Sequence, residues 1–206
     1  MQENKDKNCH LVLLIAASLV FIWSLIKPHD YFTWILEVAP AIIGFIIIVS
    51  TYRAFRLSNF AYTLITIFAM ILMIGGHYTY AQVPLFNWFR DIGIFNRNNY
   101  DKLGHFMQGF VPAIIAREVL IRKSPLKKGK WLYFVVVCIS LAISASYELI
   151  EWITSELTGS AGDAFLGTQG YVWDTQTDMA LALVGSILAL LLFHKWHDKS
   201  MGEVKN

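Results

Sequence analysis

The stretch NNYDKLGHFMQGF (98–110) decides the fold, because a polar opening gives way within one helical turn to an apolar segment. Asp101 and His105 stand four residues apart in it, so a helix there carries both side chains on one face. Outward from this stretch, the other ionisable residues also fall at the edges of apolar runs. Glu148 and Glu151 close a later run, Asp174 and Asp178 open the last one, and His77 ends an earlier one. The runs cover about 10–26, 31–52, 59–80, 102–121, 131–154 and 176–194, close to the ~20 residues that cross a bilayer. The expected fold is all-α, a polytopic membrane bundle of six transmembrane helices forming a single domain over residues 1–206.

Composition points the same way. The 206 residues are 56% hydrophobic and 16% charged, whereas about a quarter of the residues in a soluble domain are charged. No linker, low-complexity tract or internal repeat divides the chain. The apolar stretch from Leu11 to Ile26 follows Lys5 and Lys7 but runs into Lys27-Pro28 with no small-residue cleavage site, so it reads as a span, not a signal peptide. Cys9 and Cys138 lie at different depths of any simple spanning arrangement, and no CxxC motif is present.

Basic residues near span ends are retained in the cytoplasm. With both termini cytoplasmic, the inner segments hold thirteen Lys and Arg, and the outer ones hold only Lys27, Arg90, Arg97 and Lys102. The expected location is therefore the bacterial inner membrane, with the helix ends around His77, Asp101, Glu148 and Asp174 facing outward. Ten acids, Glu37 among them, fall on that outer half. An ionisable side chain at the depth of Glu37 or Glu148 costs several kcal/mol unless it is paired, solvated or functional. Glu37 has Arg90 and Arg97 as candidate partners. The basic loop from Arg122 to Lys130 suits anionic lipid headgroups, not nucleic acid, and Glu118 with Arg117 reads as a solvated pair at the inner end.

Carboxylates in pairs from several helices, with histidine added, are the ligand type of helical-bundle metal sites. His77, His105, Glu148, Asp174 and Asp178 are the candidate ligands, and a divalent metal (Zn, Mn or Fe) suits that donor set. Asp101 and Glu151 are candidate general bases, with Lys102 as an oxyanion or phosphate contact. The same carboxylates also serve acid–base chemistry without a metal, when their environments separate their proton affinities. Plainer roles stand beside these: Asp174 and Asp178 as helix-dipole partners, Asp101 as an N-cap, and Glu148 as an ion pair with Lys102 or His105. Residues 155–174, rich in glycine and free of Lys and Arg, are expected to fold as a lid over the cluster, carrying Asp163, Gln169 and Trp173, the alternative being a mobile extracytoplasmic loop.

NNYDKLGHFMQGF (98–110), SYELIEW (146–152) and GDAFLGTQGYVWDTQTDM (162–179) together resemble an uncharacterised YjdF-like family of bacterial inner membrane proteins. More distantly, Asp101-Lys102-x-x-His105, Glu148 and Asp178 are similar to the VanZ-like family, linked to low-level teicoplanin resistance. This chain departs from the VanZ-like pattern in having Glu151 where glutamine is usual and in lacking an arginine in the outer loop 155–174, so resistance is not transferred. The activity expected from the residues is hydrolysis or group transfer on a membrane lipid or lipid-linked envelope precursor. The alternatives are a binding or transport module for a cation or small solute, and a structural or accessory membrane protein.

Overall fold

The computed structural model describes residues 2–159, 165 and 168–204, with side chains from residue 6 onward. Seven helices account for the regular structure among them: α1 (Gln2–Leu25), α2 (Tyr31–Thr51), α3 (Asn59–His77), α4 (Pro84–Asp91), α5 (Tyr100–Lys123), α6 (Lys130–Thr158) and α7 (Asp174–Gly202). Local chemistry fixes their starts. Asp30 caps α2, its carboxylate accepting from the Thr33 amide at 2.6 Å, and that hydrogen bond holds the Asp30 carboxyl below its ordinary range. Ser58 caps α3. Pro84 opens the short amphipathic α4, which no long apolar run announces. The Asn98 side chain accepts from the Tyr100 amide and donates to the Val83 carbonyl, tying the start of α5 to the segment before α4.

Helices α1, α2, α3, α6 and α7 are long and apolar enough to cross a membrane. Helix α5 is long enough, at 24 residues, but its composition is too polar to stand with these five. The reason lies in its position. Twelve of its residues are buried, among them Asp101, His105, Gln108, Arg117 and Glu118, so these polar groups are enclosed by protein. The tightest packing is between α5 and α7. A methyl group on Gly109 would come within 1.8 Å of the Ala182 carbonyl oxygen, and one on Gly185 within 2.2 Å of that of Phe106. Only glycine lets these two backbones approach so closely. Gly76 does the same on a smaller scale, where α3 meets Val38 and Glu37 of α2.

Successive long helices run antiparallel. Asn59 donates to Asp6, and the Phe60 amide donates to Ser200, so both termini lie at the end of the bundle where α3 begins. We call this the terminal end. At the far end, the starts of α5 and α7 meet the close of α6. Between the two lies an apolar core built on Val111, Ile114, Leu132, Val136 and Leu190.

Residues Arg117 and Glu118 correct the expectation of a solvated pair, for both are buried at the terminal end. Glu118 accepts from the Ser58 amide (2.8 Å) and hydroxyl (2.6 Å), from Arg122 (2.6 Å) and from His197 Nε2 (3.0 Å). Arg117 donates to Asp198 at 2.6 Å and to His197 Nδ1 at 3.1 Å. These contacts fix His197 as the neutral tautomer with its proton on Nε2. They also explain why α7 runs eight residues past the apolar stretch ending at 194: its polar tail is fastened to α3 and α5.

Candidate functional site

The far end gathers six buried carboxylates: Glu37 from α2, Asp101 from α5, Glu148 and Glu151 from α6, and Asp174 and Asp178 from α7. Two permanent cations sit among them. Lys102 Nζ lies 2.7 Å from Asp174 Oδ1 and 2.8 Å from Asp178 Oδ1, with Asp101 at 3.7 Å. Arg97 pairs with Asp174 and, at 3.5 Å, with Asp101. Arg97 therefore serves α5 and α7 and does not reach Glu37, and Arg90 pairs with its neighbour Asp91. The partner found for Glu37 is the Tyr147 hydroxyl, at 3.4 Å.

The expected ligands fall into three groups. His105, Glu148 and Asp178 each offer a donor atom within 4.8 Å of the others, and all three are buried. Asp101, Asp174 and Asp178 form a second trio of the same kind, with the Lys102 ammonium already against it. His77 stands apart from both. Its Nδ1 lies 3.0 Å from the Ser24 carbonyl oxygen and its ring packs on Trp23, so it joins α3 to α1 and is no ligand of this cluster.

The first trio is chemically incomplete. Glu148 Oε1 is buried with no hydrogen-bond partner; the nearest cationic candidate is His105 Nδ1 at 3.4 Å. That nitrogen faces Gln108 Oε1 at 3.2 Å. With its proton donated to Gln108, His105 keeps the Nε2 lone pair on the side of Asp178 Oδ2, 3.9 Å away. An acceptor against one ring nitrogen and a free lone pair on the other is how ligating histidines are held. Donors about 2.0–2.1 Å from a tetrahedral ion stand roughly 3.3 Å apart, whereas the donors of this trio lie within 4.8 Å of one another and have to draw in to close on one. Glu151 makes no hydrogen bond or ion pair with another described residue, although it lies within electrostatic reach of Glu148 and Glu37.

Of the 155–174 segment, Phe165, Thr168, Gln169 and Tyr171 lie against residues of this cluster or its rim, whereas 155–158 continue α6. Phe165 is buried against the Tyr147 ring. The Thr168 carbonyl accepts from Arg97, and Gln169 donates to the Asn98 carbonyl at 2.8 Å. The Tyr171 ring lies 5.2 Å from the Arg97 guanidinium and 5.7 Å from Lys102 Nζ. Trp173 is exposed and covers nothing, and Asp163 lies outside the described residues. Beside Tyr171, a crevice of about 360 Å³ opens among Ile94, Phe95, Arg97 and Lys102.

The plainer readings fare unequally. Asn99 and Trp173 hold the N-cap positions of α5 and α7, and neither makes a side-chain cap bond. Asp101 and Asp174 lie inside the first turn: Asp101 accepts from the Lys102 amide at 2.8 Å with both cations beyond it, and Asp174 binds Arg97 and Lys102 directly. The sequence offered Arg97 as a partner for Glu37 and no site role for Gln108 or Tyr171. Gln108 was available from spacing alone, three residues after His105 on the same face. Arg97 and Tyr171 are loop residues, brought in only by the path of the chain.

Residues 9–199 match a family described as Predicted membrane protein (DUF2238). The chain is also 45% identical over 188 residues to the Inner membrane protein YjdF of Escherichia coli (strain K12), covering 91% of this chain and 90% of that relative. No solved structure matches.

Proposed function

This chain belongs to the DUF2238 family of predicted membrane proteins, and from that premise we propose that it is an inner-membrane hydrolase or transferase with its carboxylate cluster facing outward. In this reading α5 makes the sixth crossing, and the excess of Lys and Arg at the terminal end keeps both termini in the cytoplasm. His105, Glu148 and Asp178 hold one divalent cation, which supplies Lewis acidity to a bound phosphoryl or carbonyl oxygen. Glu151, free of a cation, takes the proton of the attacking nucleophile. Lys102 and Arg97, on the wall of the crevice beside Tyr171, receive the phosphate of a lipid or lipid-linked substrate.

One observation carries the reading: six buried carboxylates meet two permanent cations, and the oxygen left without a partner is that of Glu148, inside a ligand trio. Like charges so close cannot all stay ionised without protons or a further cation. The apolar core beneath the cluster favours a one-sided site over a through-path. Elemental analysis of the purified chain tests it. About one Zn, Mn or Fe per chain is expected, lost in Glu148→Gln and His105→Ala while the thermal unfolding profile is kept. A metal-free wild type, or undiminished metal in both variants, ends the proposal.

A further inference from the structure

On the opposite side of the bundle, α1 and α2 both pack along α3 and barely touch each other. They meet only near their ends. At the far end Trp34 Nε1 donates to Ser24 Oγ, and the Phe21 and Trp34 rings lie 5.8 Å apart. At the terminal end His10 bridges the Tyr52 hydroxyl (2.6 Å) and Asn59 (2.8 Å). Between these two polar clasps the helices separate around a slot of about 930 Å³, walled by residues such as Leu14, Ala17 and Phe45 and floored by Ala69 and Met73. Pro40, which has no amide hydrogen to continue the α2 ladder, sits immediately before Ala41, where the slot begins.

The dimensions and the charge of the slot name its occupant. Its wall on α1 runs from His10 to Ile22, about 18 Å at 1.5 Å per residue; one leaflet is about half of a 30 Å hydrocarbon core. The volume lies near the top of the range for ligand pockets, about 300–1,000 Å³. Thr66 and Ser50 turn their hydroxyls back to carbonyls of their own helices, leaving the walls without free donors there. The single charged residue on the lining is Arg53, at the terminal-end rim, and it has no hydrogen bond or ion pair to another described residue.

We infer that this slot binds one anionic diacyl phospholipid from the surrounding leaflet, its acyl chains between α1 and α2 and its phosphate on Arg53. A second protein helix fits less well, because the clasps at both ends close the slot to a rod running its full length. The carboxylate cluster at the other end takes no part, so the site stands whatever that cluster does.

Native mass spectrometry of the full chain in detergent, with equal phosphatidylglycerol and phosphatidylethanolamine added, tests the inference. One phosphatidylglycerol per chain is expected, retained about fivefold over phosphatidylethanolamine, whose own ammonium offsets the phosphate that Arg53 would otherwise attract. Arg53→Ala brings that ratio close to one. Ala69→Phe, which fills the slot from its floor, removes both adducts, and Ala17→Phe does so from its wall should the first variant fail to fold. Lipid retention unchanged in the filled variants overturns the proposal, as does a wild type with no headgroup preference. A dimer that Ala17→Phe converts to monomer also overturns it, making a second copy the occupant.

Discussion

The two ends of the bundle bury similar chemistry to opposite purposes. At the terminal end Glu118, His197, Arg117 and Asp198 close on one another: the Glu118 carboxylate accepts four hydrogen bonds, both ring nitrogens of His197 are assigned, and the buried atom left over, Arg117 Nε, belongs to a cation already paired with Asp198. At the far end the acids outnumber their cations, Glu148 Oε1 is unpartnered, and Glu151 has no partner among the described residues. A buried network whose charges are paired specifies a packing and resists change, whereas one with surplus like charge holds free energy that a ligand can release. The comparison teaches that a buried histidine beside a glutamate is no sign of a site by itself. The sign is what remains unpaired around it.

Three substitutions break or sharpen that contrast. The largest effect is expected from Glu118→Ala, which takes the shared acceptor from Ser58 and His197 and leaves Arg122, still bonded to the Arg56 carbonyl, without its carboxylate; about 3–5 kcal/mol of stability should be lost, read as a drop in the detergent-solubilised unfolding midpoint. A small change there would remove the terminal-end network from the account of stability. Lys102→Met comes next. It removes two short hydrogen bonds to Asp174 and Asp178, costing about 1–3 kcal/mol, yet it should tighten divalent-cation binding, because an ammonium no longer competes for Asp178. Metal titration of the variant by calorimetry reads the sign, and weaker binding would mean that Lys102 supports the trio instead of opposing it. The smallest effect belongs to Arg90→Ala. Its pair with Asp91 is exposed, so a change below about 0.5 kcal/mol is expected, and a larger one would give α4 a structural weight that its packing does not explain.

The bundle was legible because a membrane demands long apolar runs, and their edges agree with the helices to within a few residues. The exceptions are the outer turns of α1 and α7, which lie in polar sequence and are held by contacts with other helices, and α4, too short for an apolar run to reveal. Close approach of α5 to α7 through Gly109 and Gly185 escaped notice, since a lone glycine in an apolar run carries no signal until the facing backbone is known. In the cluster, the i,i+4 spacings placed Asp101 with His105 and Asp174 with Asp178 on common faces, but spacing within one helix says nothing about which faces meet. His77 shows the limit. It lies at the right depth, as a sequence of antiparallel spans requires, yet on the side of α3 that faces α1.

By itself, then, the sequence determined depth: which residues lie in a bilayer, and which polar groups lie near its surface at the same end. The tertiary structure decided azimuth, the rotation of each helix about its axis, and with it the partners of every buried charge. Hydropathy is a property of a segment and survives any rotation of it, whereas an ion pair depends on two side chains pointing at each other across helices. That is why Lys102 could be seen at the right level from the sequence, while its position between Asp174 and Asp178 could not.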